Sequence, residues 1–416
     1  MSTPAELLPI REIVEPTDDG EAAEIIRSCA ADATPVYPIG GGSSLDYGLP
    51  ARREGIGLSL AKLNSVVDYP ARDMTISVGA GLTMQALATV LDSEQQRLPI
   101  DVPQADRATI GGVVATNFNG CRRYGQGNVR DHVIGVHAID GRGMPFRGGG
   151  RVVKNVAGYD FCKLLTGSLG TLGVITQLTF KLKPKPPASA VIVCQPVDLG
   201  GAEKLLAALV HSQTRPVAIE LLGGPAWNQD PPWQELGFPQ GDGLLLAVAL
   251  EGTNAEVDWM VPELESEWRA LGVSKSIGLR SGDTQPLMHS LAEFPARESP
   301  LVVKVNVVPS HTTRVVAAAR EIDESCSFQA HAGSGVVIVR FSTFPEAGLS
   351  KTLVSQLQPV AAAGAGNVVI LANPSGAEQT RQSVWGNSLA PYELMTKVKR
   401  EFDPQNILNP GRFVYD

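Results

Sequence analysis

Cysteine is scarce in this chain, which has five cysteines among 416 residues. They are scattered, odd in number and never arranged as a C-x-x-C pair: Cys29, Cys121, Cys162, Cys194 and Cys326. A disulfide framework is typical of small secreted chains with paired cysteines, and an iron–sulfur cluster needs closely spaced cysteine ligands. The pattern therefore indicates buried, reduced thiols in a cytoplasmic protein.

Long apolar runs and a basic excess are also lacking. No stretch approaches the roughly eighteen consecutive apolar residues of a membrane-spanning helix, and the N-terminus lacks the basic and apolar regions of a signal peptide. The net charge is −8 and the isoelectric point is near 5.4. An acidic chain is a poor match for nucleic acid or anionic lipid. We therefore expect a cytoplasmic protein with no membrane span and no nucleic-acid partner.

Length and composition predict two lobes. Domains rarely exceed about 250 residues, so a chain of 416 residues is expected to contain more than one. The segment Lys181–Pro187, which reads KLKPKPP, is proline-rich and basic, as domain boundaries often are. We predict a first domain over residues 1–187, a second over 188–390, and a C-terminal helix and tail over 391–416.

The apolar periodicity predicts the main strands and helices. The predicted strands are Pro35–Ile39, Met74–Val78, Val133–Ile139, Gly173–Leu182, Val191–Cys194, Val217–Leu222, Leu244–Leu250, Leu301–Val308 and Gly335–Phe341. The predicted helices are Glu21–Cys29, Leu82–Leu91, Ala202–His211, Glu256–Leu271, Thr312–Asp323, Leu349–Ala363 and Pro391–Phe402. Beyond residue 187 this alternation predicts an α+β lobe built on an antiparallel sheet.

The sharpest motif is a glycine-rich segment, Pro38–Gly48, that directly follows a predicted strand. Its consecutive glycines, Gly40–Gly42, allow a turn whose N–H groups form a nest for an anion, and Ser43 and Ser44 add hydroxyl donors. The segment lacks G-x-x-x-x-G-K-[ST], which excludes a P-loop nucleotidase. It also lacks G-x-G-x-x-G at a helix start, so a Rossmann site is not supported. Taken alone, it is equally compatible with a glycine-rich surface turn.

Three further segments extend this motif. Pro103–Asn117 contains T-I-G-G, Lys154–Thr176 contains G-Y-D followed by G-S-L-G-T-L-G-V-I-T, and Asp403–Phe413 reads D-P-Q-N-I-L-N-P-G-R-F. In order and spacing, the four resemble the FAD domain of the vanillyl-alcohol-oxidase and p-cresol-methylhydroxylase family, over about residues 10–185 plus the tail. The resemblance implies FAD and a p-cresol-methylhydroxylase-type FAD domain of two α+β subdomains. An α+β cap lobe with an antiparallel sheet would follow, and the tail would return to the FAD domain.

The resemblance also implies the cofactor contacts. The glycine loop would cradle the pyrophosphate through N–H groups, the T-I-G-G segment would follow the ribityl chain and isoalloxazine, and the third segment would offer backbone atoms. The tail would close the site with a cation near the flavin N1/C2=O locus, which favours the reduced anion. The implied residues are Pro38, Ile39, Gly40, Gly41, Gly42, Ser43, Ser44, Pro103, Thr109, Ile110, Gly111, Gly112, Thr116, Asn117, Gly120, Val174, Ile175, Thr176, Asn409 and Arg412. Ser43 stands where covalently flavinylated relatives carry histidine, so we predict non-covalent FAD.

One histidine is a candidate for the chemistry. Related D-2-hydroxy-acid dehydrogenases bind a metal through an H-x-G-D-G-N-x-H stretch. The counterpart here begins at His331, but Ser334 replaces the aspartate and Ile338 replaces the second histidine. Zinc normally needs three protein ligands, so we predict no metal. His331 is a candidate base, because imidazole titrates near neutrality. The alternative, which we favour, is a packed histidine at the end of a strand.

A 2-hydroxy acid also needs a cation for its carboxylate. Lys304 and Arg297 are the candidates in the second lobe, and Lys304 lies near the place where relatives carry a substrate lysine, with the spacing off by one. The alternative for both is a surface charge, which we favour. Arg122–Gly125 follows the T-I-G-G segment and offers a further cation, although a solvated turn explains it equally well.

Among subfamilies, Arg151–Asp160 is most similar to the FAD-binding E subunits of bacterial glycolate oxidases. This implies an FAD-dependent oxidoreductase that takes electrons from glycolate or D-lactate and passes them to a second FAD subunit and an iron–sulfur subunit. It would lie in the cytoplasm, peripheral to the inner membrane through these partners. Two alternatives stay open: an autonomous FAD-dependent oxidase or dehydrogenase of another small alcohol or hydroxy acid, and a non-catalytic structural subunit that retains the fold.

Overall fold

The computed structural model describes residues 4–150, 158–238, 243–387 and 391–413. The chain forms two compact units. The first comprises Met1–Asn119, Asn128–Lys185 and Ser388–Asp416, and the second comprises Gly120–Gly127 and Pro186–Asn387. The predicted first domain ran without interruption over residues 1–187, whereas the structure groups the short segment after the T-I-G-G motif with the second unit. The start of the third motif, residues 154–157, lies outside the described residues.

Strands and helices are numbered in chain order. The strands are β1 (Ile10–Val14), β2 (Val36–Ile39), β3 (Gly55–Ser59), β4 (Val66–Asp68), β5 (Thr75–Gly79), β6 (Gln96–Arg97), β7 (Val133–Ile139), β8 (Pro145–Gly149), β9 (Val174–Lys181), β10 (Lys183–Pro184), β11 (Ala188–Cys194), β12 (Pro216–Gly223), β13 (Leu245–Gly252), β14 (Ser276–Arg280), β15 (Leu301–Asn306), β16 (Ser327–His331), β17 (Val336–Phe341) and β18 (Asn367–Ala372). The α-helices are α1 (Pro4–Leu7), α2 (Asp19–Ala31), α3 (Met84–Asp92), α4 (Ile110–Thr116), α5 (Arg123–Gln126), α6 (Val129–His132), α7 (Phe161–Leu165), α8 (Leu199–Leu209), α9 (Pro225–Asn228), α10 (Pro231–Gln234), α11 (Asn254–Ala270), α12 (Thr284–Glu293), α13 (Thr312–Ile322), α14 (Gln358–Ala363), α15 (Arg381–Trp385) and α16 (Tyr392–Phe402). A π-helical stretch, Ser350–Leu357, leads directly into α14.

The first unit contains two main sheets. A three-stranded parallel sheet has the order β1-β3-β2, and a five-stranded antiparallel sheet has the order β4-β5-β9-β7-β8. The central strand β9 is buried along most of its length, and Val174, Leu178 and Phe180 are at most 1% exposed. Local capping fixes the helix starts: the carboxylate of Asp18 accepts the N–H of Glu21 at the beginning of α2.

The second unit is built on an eight-stranded antiparallel sheet of order β14-β11-β13-β12-β16-β17-β15-β18. Both faces carry apolar clusters, one of them packed against α11 and the other against α12. The predicted α+β class with an antiparallel sheet in the second lobe is confirmed. Among the described residues, no helix combines the length and apolar character needed to cross a membrane.

Each predicted strand and helix is present, with its ends shifted by a few residues, but several elements were missed. β16 reads SFQAH, and its polar side chains hid a strand whose residues are all buried. β18 is a continuous apolar run, whose periodicity alone does not separate strand from helix. Pro286 in the first turn of α12 obscured that helix.

Candidate functional site

The glycine-rich loop follows β2 in the first unit and packs directly against the second motif. An added Cβ at Gly41 would lie 1.6 Å from the carbonyl oxygen of Arg107, and one at Gly40 would lie 2.1 Å from Oγ1 of Thr109. Real Cβ atoms essentially never approach within 3.0 Å, so this packing requires glycine at both positions. Nη2 of Arg107 also donates to the carbonyl of Gly41 at 3.1 Å. Gly42 adopts a φ of +73°, which glycine reaches without strain.

The second motif is the start of α4, and it rests on the turn after β5. Thr109 caps the helix, and its Oγ1 accepts the N–H of Gly112 at 3.4 Å. The N–H of Gly111 donates to the carbonyl of Ala80 at 2.8 Å, and a Cβ at Gly111 would lie 2.8 Å from Cβ of Ala80. The small residues predicted to leave room for a cofactor are therefore also needed for packing, and the helix itself was not anticipated.

The third motif packs on the end of α4. The N–H of Gly167 donates to the carbonyl of Val114, and the N–H of Leu169 donates to that of Ala115, both at 2.9 Å. Ser168 lies between them and is 4% exposed. Its Oγ is buried without a hydrogen-bond partner among the described residues. A buried hydroxyl without a partner is costly, so this position suits a polar group of a bound cofactor.

The C-terminal tail joins the glycine loop and the third motif. The N–H of Asn409 donates to the carbonyl of Val36 at 2.9 Å, and its Nδ2 donates to the carbonyl of Leu169 at 2.6 Å. Asn409 adopts a φ of +46°, a left-handed conformation that asparagine tolerates better than most residues. The predicted return of the tail to the FAD motifs is thus seen in named contacts.

Arg412 contacts the glycine loop itself. Its Nη2 donates to the carbonyls of Leu45 and Tyr47, the latter at 2.9 Å. Burial lowers the pKa of the Arg412 guanidinium to about 10, while Asp46 and Tyr37 oppose the shift. The group is therefore a cation at neutral pH. The resemblance implied that this cation lies beside the flavin. In the structure, the Arg412 guanidinium instead holds the glycine-rich loop in place through its carbonyls.

The four motifs together fit an FAD cradle within the first unit. Gly40–Ser44 is only partly buried, so its backbone is accessible to a ligand. The motif residues Gly40 and Gly41 have no room for a side chain, and Ser168 offers a buried hydroxyl that finds no partner in the part of the chain that the structure describes. These are the features that an extended dinucleotide with a pyrophosphate needs: close backbone approach, N–H donors and buried hydroxyls.

The other predicted cofactor residues lie in several settings. Val174, Ile175 and Thr176 are buried in β9, and the carbonyl of Thr176 accepts the N–H of Ala80 at 2.8 Å. Pro38, Ile39, Pro103, Ile110, Thr116 and Asn117 lie in or beside the loop and α4. Gly120 belongs to the second unit. Contact of each of these residues with the cofactor stays a prediction.

His331 lies at the end of β16 in the second unit, where it is 3% exposed and faces Glu220 of β12. Its Nδ1 is 2.9 Å from Oε1 and 2.8 Å from Oε2 of that carboxylate. Nε2 of Gln329 donates to the same carboxylate at 2.9 Å. No group of three or more histidine, cysteine, aspartate or glutamate side chains within the described ranges could hold a metal ion.

Lys304 lies in the middle of β15, on the same face of the sheet as His331. The register pairs Lys304 with Ile338, and Ile338 with Gln329, so these side chains share a face. Burial, with a smaller contribution from Arg123, lowers the pKa of Lys304 to about 8. Lys304 is thus partly buried rather than a fully exposed surface charge, and its contact with a substrate carboxylate stays a prediction.

Arg297 is held in a different cluster. Its Nη2 contacts Asp230 and donates to Oγ of Ser290 at 2.9 Å, and its guanidinium lies 5.7 Å from the ring of Trp227. Asp230 is 7% exposed, and Arg297 neutralises its buried carboxylate. The contacts favour a packing role, although the carboxylate-binding prediction for Arg297 is not tested by them.

Sequence reasoning missed several polar residues of the second unit. Glu220 gave no signal, because it stands inside an apolar strand and meets His331 only through strand pairing. Arg122 was left open between a flavin contact and a solvated turn; its Nε pairs with Glu251 at 2.7 Å. The ring of Tyr124 packs where a Cβ at Gly333 would lie, 2.6 Å away. Arg122 and Tyr124 thus contact the second unit through their side chains, while Tyr124 stays 41% exposed.

Known proteins share this architecture. Residues 10–149 match the family described as FAD binding domain, and residues 376–413 match the C-terminal domain of FAD linked oxidases. The fold is similar to that of p-cresol methylhydroxylase, with a TM-score of 0.73 and 18% identity over 99% of this chain and 91% of that one. The chain therefore carries a p-cresol-methylhydroxylase-type FAD-binding domain. Its cofactor is FAD, and it is an FAD-dependent oxidoreductase.

Several curated relatives match over most of the chain. Glycolate oxidase subunit GlcD of Bacillus subtilis is 25% identical over 96% of this chain and 88% of its own. A D-lactate dehydrogenase of Anaerostipes hadrus is 27% identical over 97% and 89%. Glycolate oxidase subunit GlcE of Escherichia coli is 37% identical, but over only 40% of this chain and 47% of its own. The assignment to the E subunits is therefore not confirmed.

Proposed function

We propose that this chain oxidises a small 2-hydroxy acid, glycolate or D-lactate, as one subunit of a dehydrogenase complex. The observation that carries the proposal is the FAD cradle formed by the four motifs, in a chain whose full-length relatives are named for glycolate and D-lactate. Bound FAD would accept the two electrons that the α-carbon of the acid loses on oxidation. Lys304 is the proposed partner of the acid carboxylate, and His331 is the proposed base for its hydroxyl proton.

The electrons then pass to a partner protein. Two relatives are named as subunits of glycolate oxidase, which supports a complex. The same proposal includes two partners, a second FAD subunit and an iron–sulfur subunit. It also includes a cytoplasmic position peripheral to the inner membrane and closer kinship to the E subunits. That kinship is supported by the 37% identity confined to part of the chain.

The second candidate function is an autonomous FAD-dependent dehydrogenase. The observation that favours it is the match of a D-lactate dehydrogenase to 97% of this chain.

One experiment separates these functions. The purified chain is mixed anaerobically with glycolate and with D-lactate, alone and after co-expression with its neighbours, while flavin absorbance is followed. Bleaching only in the presence of partners supports the complex, and bleaching of the isolated chain supports the autonomous dehydrogenase. A flavin that neither acid reduces under either condition contradicts 2-hydroxy-acid oxidation.

A further inference from the structure

A buried carboxylate stands directly behind the candidate base. Glu220 and His331 are paired residues of β12 and β16, so their side chains project from the same face of the sheet. Both carboxylate oxygens lie within 2.9 Å of Nδ1, and the two side chains are 1% and 3% exposed. Strand pairing in the middle of an eight-stranded sheet fixes the separation of these groups, which a loop would not do.

The chemistry of the pair determines where the ring proton lies. An ionised carboxylate accepts hydrogen bonds and donates none, so the imidazole nitrogen that faces it must carry the hydrogen. Nδ1–H therefore donates to Glu220, and Nε2 is the nitrogen left with a lone pair. A buried glutamate costs free energy unless it is paired and hydrogen-bonded. The donors from His331 and Gln329 meet that requirement.

We propose that Glu220 is a positioning residue that holds His331 in the Nδ1–H tautomer and thereby makes Nε2 the atom that accepts a proton. The proposal rests on the proposed function, in which that proton comes from the hydroxyl of a 2-hydroxy acid. When Nε2 takes the proton, the ring becomes an imidazolium whose positive charge lies beside the carboxylate of Glu220. The carboxylate stabilises the protonated ring electrostatically.

Gln329 strengthens this assignment. It lies two residues before His331 on β16 and is fully buried, and its Nε2 donates to Oε2 of Glu220. This hydrogen bond holds the Glu220 carboxylate in the orientation in which it faces Nδ1 of His331. Oε1 of Gln329 has no hydrogen-bond partner among the described residues.

The test reads the tautomer directly, without turnover. The FAD-loaded full-length chain is labelled with 15N-histidine, and the His331 ring signals are assigned by their loss in His331→Gln. At a pH where the ring is neutral, we expect a protonated Nδ1 and a bare Nε2. A spectrum with the hydrogen on Nε2 overturns the proposal, whatever the activity of the protein.

Glu220→Gln provides the second arm. An amide offers Nδ1 either an oxygen or an NH2 group, so we expect the single tautomer to become a mixture. We expect the rate of flavin reduction by glycolate or D-lactate to fall about 100-fold or more, within the range of tautomer and general-base effects. FAD content should stay unchanged, because the FAD motifs lie in the other unit. An unchanged spectrum and rate in Glu220→Gln overturns the proposal.

Glu251→Gln is the matched control. Glu251 is another buried glutamate of the same sheet, with a side chain that is 6% exposed and paired with Arg122. The substitution makes the same chemical change on the neighbouring strand β13, and we expect it to leave the His331 spectrum untouched. Equal changes in both variants would point to a general loss of structure and contradict positioning. If neither acid reduces the flavin of the native protein, the proposed function fails, while the tautomer measurement still decides the role of Glu220.

Discussion

Lys399 offers the sharpest test of how the tail supports the cofactor site. It lies on α16, and its Nζ contacts three acceptors: the carboxylate of Asp403 at 2.7 Å, the carbonyl of Thr171 at 2.9 Å and that of Leu408 at 3.0 Å. The Lys399 and Asp403 side chains are 5% and 0% exposed. Asp403 in turn accepts the N–H groups of Ile407 and Leu408. The ammonium thus joins helix, third motif and tail.

Lys399→Met keeps the aliphatic length and removes the charge. It leaves a buried carboxylate without its counter-ion, a change that typically costs about 3–5 kcal/mol of unfolding free energy. For a cooperative unit of about 200 residues, that corresponds to a fall in melting temperature of about 7–12 °C. Because the released tail carries Asn409 and Arg412, we also expect weaker FAD binding.

The assay is denaturant and thermal unfolding of the FAD-loaded and FAD-free protein, with FAD affinity measured by fluorescence titration. Lys397→Met is the matched control, because Lys397 lies on the same helix and is exposed. It should change the unfolding free energy by less than about 0.5 kcal/mol. Equal stability of the two variants would refute the view that buried Lys399 supports the tail.

Four further predictions concern the cofactor and Lys304. Acid precipitation should release all FAD into the supernatant, because Ser43 is no nucleophile for the flavin methyl group; flavin retained in the pellet would contradict this. Gly41→Ala should lower FAD affinity at least tenfold, or about 1.4 kcal/mol, because the added Cβ would overlap the Arg107 carbonyl. Gly282→Ala is the control: open space surrounds Gly282, so this variant should bind FAD normally. The pKa of Lys304 is lowered to about 8 in the native state. Between about pH 8 and 10.5, native Lys304 therefore binds fewer protons than Lys304 in the unfolded chain, so the free energy of unfolding should rise with pH over that window. Lys304→Met should lack the rise. Over the same window native substrate binding should weaken as Lys304 loses its charge, and a pH-independent dissociation constant would argue against its contact with the carboxylate.

The spacing of apolar residues and the turn-forming residues of the sequence predict most of the fold. Strands such as β7 and β12 carry β-branched and apolar residues, and β12 begins at Pro216 and ends at Gly223. The glycine-rich loop was also visible, because consecutive glycines after a strand have a local physical meaning. What local reasoning could not supply was the pairing partner of each strand. Glu220 is therefore the residue most completely missed: nothing within its own strand distinguishes it, and only the register with β16 brings it to His331.

The sequence alone supplied the four FAD motifs, because their glycines and small residues are visible one after another and their order and spacing resemble those of a known family. It also determined that His331 lacks the other ligands of the metal motif. The tertiary structure decided how the polar residues act. It turned Arg412 toward the carbonyls of the glycine loop, left Lys304 partly buried on one face of a sheet and placed a carboxylate behind His331. These roles depend on contacts between residues far apart in the chain, and the environment that sets their charge and proton position exists only after the sheets have formed.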